Sequence, residues 1–186
     1  MRINKKKFVY LISPNKIEKS FYTNLESVFK SKKVSFFQLR LKNENSKNKL
    51  FIGLKIKKIC KKYRVKFLIN DDVLLAKKLD ADGCHLGQND MKLTKARILL
   101  KKKIIGITCH NSIKLAKLAN QDGADYLALG AFNSSKTKRI KFRASINLLK
   151  RVKKVINAPI VAIGGIDSKN YKKLLLNNAT FLAISG

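Results

Sequence analysis

Acidic side chains are scarce in this sequence. Of 186 residues only 11 are Asp or Glu, against 42 Lys or Arg, which leaves a formal net charge of +31. Tryptophan is absent, and there are only 2 prolines, 3 cysteines and 2 histidines. No run of about 18 apolar residues is present, so no membrane-spanning helix is expected. The opening MRINKKKFVYLI lacks the long apolar centre and small-residue cleavage site of a secretory signal, which predicts a cytoplasmic protein with no membrane partner. Cys60, Cys84 and Cys109 are odd in number and share no CxxC spacing. That excludes a disulfide framework and a structural zinc site, and leaves buried apolar side chains as their expected role. With no Pro-rich, Gly/Ser-rich or low-complexity linker to divide it, the chain 1–186 is expected to form one domain.

The excess of lysine bears on partners. A basic surface attracts nucleic acid, anionic membrane or phosphorylated small molecules, since each offers concentrated negative charge. Here the lysines are spread along the whole chain, as KKK at 5 to 7, KIKKICKK at 55 to 62, KKK at 101 to 103 and RVKK at 151 to 154. No helix-turn-helix, zinc-finger or aromatic-rich RNA motif accompanies them. They read as the solvated faces of many helices, with no specific nucleic-acid partner.

Short β-branched or apolar runs alternate with amphipathic, Lys-faced stretches. Strands are expected near 8–13, 34–40, 66–70, 83–87, 104–109, 126–130, 160–165 and 181–185. Helices are expected near 17–31, 46–63, 72–79, 92–101, 111–121, 143–156 and 168–177, with Asn111, Ser112 and Ser168 as caps and Gly123 as a stop. Strand and helix repeating every 20 to 25 residues or so imply a parallel sheet with right-handed crossovers. Eight repeats predict a (β/α)8 TIM barrel, with a doubly wound open sheet as the rival. The polar clusters favour the barrel: QLRLK, ND, GQND, ITCH, GAFNSSKTK, GGI and ISG all fall at carboxyl ends of strands, the rim on which such barrels build their sites. The last strand ends the sequence, so a full eighth helix is not expected. That flank is open to cover by a partner subunit, and a homodimer would provide it.

Five of the few carboxylates fall in the single stretch INDDVLLAKKLDADGCHLGQND, from Ile69 to Asp90. Asp71 ends the third expected strand and Asp90 lies just after the fourth, so the two would be neighbours on the rim. Two carboxylates aimed at one point repel unless a cation lies between them, and a hard, oxygen-liganded ion such as Mg2+ fits best. Magnesium takes one or two carboxylates and leaves its other positions to water and phosphate. Asp72, Asp80 and Asp82 read as caps and turns. Gln38, Arg40 and Lys42 alternate at the end of the second strand, which puts them on one face, toward the barrel interior. Two cations and an amide there call for an anion such as phosphate. Ser135, Thr137 and Lys138 add hydroxyls and a cation in the 130–138 loop, while Gly164, Gly165 and Ser185 offer backbone amides near the same rim. Adjacent strand residues point to opposite faces, so the pairs Cys84-His85 and Cys109-His110 do not suit a zinc site. His85 is expected to be a structural hydrogen-bonding residue and His110 to line the pocket.

The ordered set of segments QLRLK from Gln38, Asn70-Asp71, ADGCHLGQND from Ala81, GIT from Gly106, GADY from Gly123, the 130–138 loop, AIGGI from Ala162 and Ile184-Ser185 resembles the thiamine phosphate synthase family, with its thiazole tautomerase paralogues. The resemblance covers nearly the whole chain. It implies a (β/α)8 barrel that joins a hydroxymethylpyrimidine diphosphate to a thiazole phosphate with release of diphosphate and a need for Mg2+. It implies that Asp71 and Asp90 hold the metal, and that Gln38, Arg40, Lys42, Asn70, Thr108 and Lys138 surround the pyrimidine diphosphate. Ser135, Thr137, Gly165, Ile184 and Ser185 would hold the thiazole phosphate. Arg40, Lys42, Thr108 and Lys138, which face the departing diphosphate, are the candidate catalytic residues.

The sequence departs from the family pattern in places. Leu41 stands where Glu is usual, Thr108 replaces Ser, and the loop reads GAFNSSKTK where GPxFPTSTK is usual, with Ala131, Ser134, Ser135 and Lys136 altered. Thr108 and Ser135 keep a hydroxyl. Two alternatives stand beside the synthase: a tautomerase in which His110 moves protons near neutral pH, and a non-catalytic barrel that binds phosphates or polyanions through its charge. Retention of both Asp71 and Asp90 favours the synthase.

Overall fold

Each apolar run forms a strand and each Lys-faced stretch a helix in the computed structural model, which describes residues 7–134 and 141–185. The first half of the chain runs β1 (Val9–Ile12), α1 (Lys19–Lys30), β2 (Val34–Leu39), α2 (Ser46–Lys62), β3 (Lys66–Asn70), α3 (Val73–Lys78), β4 (Gly83–Leu86) and α4 (Leu93–Leu100). The second half runs β5 (Ile104–His110), α5 (Ile113–Gln121), β6 (Tyr126–Gly130), α6 (Ile146–Val155), β7 (Ile160–Ile163), α7 (Tyr171–Leu176) and β8 (Phe181–Ser185). The strands are parallel, each beside its sequence neighbour, and β8 pairs with β1 to close the barrel. The open-sheet rival is thereby excluded. No eighth helix occurs among the described residues, nor does any helix long and apolar enough to cross a membrane.

Side-chain alternation divides the core in two. Tyr10, Phe36, Leu68, Tyr126, Val161 and Phe181 pack inside the barrel. Phe37, Ile69, Leu86, Ile105 and Leu127 face outward onto buried helix residues such as Ile56, Ala96 and Leu149. Leu41 joins this outer layer. Cys60, Cys84 and Cys109 are buried and free, and burial pushes all three thiols up.

Caps set the helix entries onto the rim. The Asp72 carboxylate accepts the Leu75 amide at 2.9 Å and the Ser112 hydroxyl accepts that of Leu115 at 3.2 Å; such a cap is worth about 1 kcal/mol. Asn111 does not cap, because its amide donates to the Arg143 carbonyl instead. Ser168 does not cap either: the Asp167 carboxylate takes the amides of Lys169 and Asn170, and the helix starts later, at Tyr171. Gly123 follows α5 with φ +87, as a stop requires. Four strands, β1, β2, β4 and β7, are shorter than expected. β7 stops at Ile163 because Gly164 and Gly165 turn the chain through φ +104 and +55, and β4 stops at Leu86 because the Gly87 amide donates to the Asp90 carboxylate. Asp80 and Asp82 act as punctuation, Asp80 between Lys57 and Lys103, and Asp82 on the Phe67 amide and Lys66.

Candidate active site

The carboxyl ends of β2, β3 and β4 bring the first group of residues together. Asp71 follows β3 directly, with φ +63, a conformation that Asp tolerates better than most residues. Its amide donates to the His85 carbonyl at 2.8 Å, which locks the end of β3 onto β4. Across from it, Asp90 is held by its short bond from the Gly87 amide, 2.6 Å. The two carboxylates meet. Burial and the facing Asp90 hold the Asp71 carboxyl above the usual carboxylate range, against the opposite pull of Lys42 and a hydrogen bond from Asn70. Two carboxylates so placed repel each other, and a cation held between them would relieve that repulsion. Among the described residues no group of three or more His, Cys, Asp or Glu converges. Two carboxylates with room for water and phosphate suit Mg2+ and do not suit zinc.

Gln38 is buried inside the barrel, 3% exposed, and its Nε2 donates to Asn70 Oδ1 at 2.6 Å. Arg40 and Lys42 lie beyond the strand end and are not buried, so the interior cation pair expected from strand alternation is corrected. β2 ends at Leu39, and past that point the two side chains diverge. Arg40 Nη1 donates to Asn15 Oδ1 at 2.8 Å, while Lys42 Nζ sits 3.7 Å from the Asp71 carboxylate. Beside them opens a cleft of about 260 Å³, lined by Lys42, Lys49, Asn70, Asp71 and Asp72 among others. Lys49 was not anticipated. It enters from the first turns of α2, and its sequence neighbourhood reads as an ordinary solvated helix face.

Thr108 lies inside the barrel on β5, and its hydroxyl is 2.8 Å from His85 Nε2. His85 has the structural role expected of it, bridging Thr108 and Tyr126, and its imidazole is pulled down to about 4 by burial against the smaller opposite effect of Asp90. Tyr126 and Tyr10 are residues that sequence reasoning missed. Both sit in apolar runs at inward-facing positions, where they look like core. The available signal was Gly106, mid-strand in β5, since a strand glycine often marks a close neighbour. A Cβ there would lie 1.9 Å from the Tyr126 ring. His110 is the last residue of β5 and stacks on Phe142, ring centroids 4.2 Å apart.

On the far side of the rim, Gly164 and Gly165 let the loop after β7 lie against the loop after β6. A Cβ on Gly165 would lie 2.0 Å from the Ser134 carbonyl oxygen. Asn133 donates its amide to the Gly164 carbonyl at 3.0 Å, and Phe132 to that of Ile163 at 3.1 Å. Ile184 and Ser185 end β8 opposite Leu11 and Ile12 of β1, with Ser185 exposed at the rim. Ser135, Thr137 and Lys138 lie outside the described residues. A second cleft of about 180 Å³ lies between the loop after β6 and α7, lined by Phe132, Asn133, Ser145 and Lys173.

Comparison with known proteins agrees across the chain. Residues 9–186 match the family model described as thiamine monophosphate synthase. A protein of Pelagibacter ubique (strain HTCC1062) named thiamine-phosphate synthase is 69% identical over 100% of this chain and 91% of its own length. One of the same name from Nitrosomonas eutropha (strain DSM 101675 / C91 / Nm57) is 42% identical, over 82% of this chain and 72% of its own. The solved structure of a thiamine phosphate pyrophosphorylase from Pyrococcus furiosus superposes with a TM-score of 0.85 at 27% identity, covering 98% of this chain and 86% of that one.

Proposed function

Because the chain belongs to the thiamine monophosphate synthase family, we infer that it catalyses the thiamine-phosphate synthase reaction, joining a hydroxymethylpyrimidine diphosphate to a thiazole phosphate with release of diphosphate. It is a transferase of thiamine biosynthesis, acting on small phosphorylated substrates. The observation that carries the reading at residue level is the facing pair of Asp71 and Asp90 beside Lys42, at the strand ends of a closed barrel.

The carboxylates of Asp71 and Asp90 would hold Mg2+, which when bound neutralises charge on the diphosphate. Lys42 and Arg40, on the same side of the rim, supply further positive charge where the diphosphate departs. The bond between the pyrimidine methylene carbon and the diphosphate oxygen breaks, and the electron pair leaves with the diphosphate. The pyrimidine ring stabilises the carbocation left behind, and the thiazole nitrogen donates its lone pair to form the new carbon–nitrogen bond. No side chain needs to take or give a proton. The barrel's tasks are to bind anions, exclude water and hold the nucleophile in line.

Backbone amides near Gly165, together with Ile184 and Ser185, lie across the mouth, where a thiazole phosphate would bring its nitrogen toward that carbon. Ser135 and Thr137 complete the thiazole-phosphate set proposed from the family pattern, and Lys138 belongs with the residues around the pyrimidine diphosphate. A second copy of the chain covering the barrel flank remains part of this reading, as does a cytoplasmic setting.

The test is a coupling assay with both substrates, with and without Mg2+, reading thiamine phosphate by its fluorescent oxidation product, for the wild-type chain and Asp90→Ala. Magnesium-dependent product that disappears in the variant is expected. No product from folded wild-type protein would overturn the reading.

A further inference from the structure

Five hydrogen bonds join six side chains across the barrel mouth into one chain. Gln38 Nε2 donates to Asn70 Oδ1 at 2.6 Å, and the Tyr10 hydroxyl donates to Gln38 Oε1 at 2.5 Å. The Tyr10 and Tyr126 hydroxyls lie 2.8 Å apart, Tyr126 OH is 2.8 Å from His85 Nδ1, and His85 Nε2 is 2.8 Å from Thr108 Oγ1. One end is next to Asp71 and the other is on β5, so the chain spans from the carboxylate pair to the opposite side of the site.

With the Gln38 and Asn70 amides oriented as in the structure, counting protons gives the direction of every bond. A hydroxyl has one hydrogen to donate, and a neutral imidazole has one donor and one acceptor nitrogen. Tyr10 uses its hydrogen on Gln38, so Tyr126 must be the donor between the two tyrosines. With its own hydrogen spent, Tyr126 accepts from His85, which places the imidazole proton on Nδ1. At pH 8, well above the usual imidazole value of about 6.5, His85 is neutral, so Nε2 is an acceptor and Thr108 must donate to it. The Thr108 oxygen then has only lone pairs left for the mouth. The only other self-consistent arrangement turns both amides over, reverses all five bonds and puts the imidazole proton on Nε2.

We propose that Tyr10, Tyr126 and His85 are positioning residues whose one-way hydrogen-bond chain holds Thr108 as an acceptor toward the substrate, so that Thr108 receives an N–H, such as the ring amine of an aminopyrimidine, rather than donating to the diphosphate. This deepens the synthase reading and rests on it for the identity of the amine. The packing supports a fixed arrangement. Tyr10 and Tyr126 are 1% and 0% exposed, and their rings meet edge to face at 5.7 Å. Gly106 leaves the space that the Tyr126 ring fills. Buried hydroxyls in such a setting keep their partners, because an unpaired one bears its desolvation cost without compensation.

The experiment is 15N NMR of histidine-labelled protein at pH 8. The chain has 2 histidines, and His110→Gln assigns the remaining signals to His85. The expected result is the Nδ1–H tautomer, unchanged when Mg2+ and inorganic pyrophosphate are added. Tyr10→Phe supplies the decisive arm, since Tyr10 makes no hydrogen bond to His85. Without Tyr10 as acceptor, Tyr126 is free to donate to Nδ1, and the imidazole proton should move to Nε2. Tyr126→Phe, which deletes the acceptor of Nδ1–H directly, should produce the same shift if Tyr10→Phe does not fold. In kinetics, Tyr10→Phe is expected to raise KM for the pyrimidine diphosphate about tenfold and to change KM for the thiazole phosphate by less than about twofold, the scale of one lost hydrogen bond.

An Nε2–H tautomer in the wild-type protein, a switch to it on adding Mg2+ and pyrophosphate, or an unmoved tautomer in the folded variant would each overturn the proposal. The spectra need no turnover. Failure of the coupling assay with Nδ1–H present would sink the synthase reading alone, and product formation with Nε2–H present would sink the chain alone.

Discussion

The Lys42 ammonium stands 3.7 Å from the Asp71 carboxylate with 52% of its side chain exposed. At that distance and exposure the pair adds about 1 kcal/mol or less to stability, because water screens it and the lysine pays rotamer entropy to stay in place. Its importance is for anion binding. Lys42→Met is therefore expected to shift the urea midpoint of unfolding only slightly and to raise KM for the pyrimidine diphosphate about tenfold or more, the range expected for a charge-assisted phosphate contact. Steady-state kinetics alongside a denaturation curve would separate the two. An unchanged KM would remove Lys42 from the site.

Asp71 leads to a less intuitive expectation. Burial and the facing Asp90 raise its carboxyl, so the folded state holds that proton more tightly than the unfolded chain does. Stability attributable to this group is present at low pH and lost as pH rises through the gap between its unfolded and folded values. Asp71→Asn should thus make the metal-free protein more stable at about pH 8, with Tm above wild type in EDTA, and the difference should shrink toward about pH 4. Added Mg2+ should raise the wild-type Tm and leave the variant's unmoved, because a ligand stabilises only the state that binds it. A variant less stable than wild type in EDTA would mean that the two carboxylates are not in conflict.

His85 has the opposite kind of linkage. Burial lowers its imidazole from 6.5 to about 4, so the unfolded chain takes up the proton first as pH falls. No penalty exists above about pH 6.5; below it stability declines, reaching a loss on the order of 3 kcal/mol near pH 4. His85→Gln cannot protonate. It is expected to be less stable than wild type at pH 7.5, through the lost bonds to Tyr126 and Thr108, and to lose less stability than wild type between about pH 7.5 and 5. Urea unfolding at both pH values reads the difference, and parallel losses in the two proteins would show that His85 titrates normally.

The parts of this molecule visible in the sequence share a physical basis. Strands such as β3 (Lys66–Asn70) and β6 (Tyr126–Gly130) are short, mainly apolar runs that bury both faces, one in the barrel and one under helices, so composition alone marks them. Asp71 and Asp90 stood out because carboxylates at or just past strand ends, in a chain with so few, need a reason. Tyr10 and Tyr126 carried no such mark. They are 116 residues apart, and nothing local in either strand shows that their hydroxyls meet or that His85 lies beyond them. The divergence of Arg40 from Lys42 was hidden for another reason: alternation holds only while the strand lasts, and β2 ends one residue before Arg40. Boundaries failed where a side chain intercepted a backbone group, as Asp167 does ahead of α7.

Gly106 offers the sharpest packing test. A Cβ at this position would lie 1.9 to 2.3 Å from three atoms of the Tyr126 ring. The ring has no easy retreat, because its hydroxyl is tied to Tyr10 and His85 and its face lies against Phe36. Overpacking of a rigid core typically costs about 1–3 kcal/mol, and Gly106→Ala is expected at the upper end of that range or beyond it. Tyr126→Leu alone should also destabilise, through the cavity it leaves and the partners it strands. In the double variant the alanine methyl would occupy part of the space vacated by the ring, so the two losses should fall short of their sum by about 1 kcal/mol or more. Urea unfolding of the four proteins in the cycle measures that coupling. Additive losses would mean that the strand backbone moves to admit the methyl and that the ring's position is not what requires glycine here.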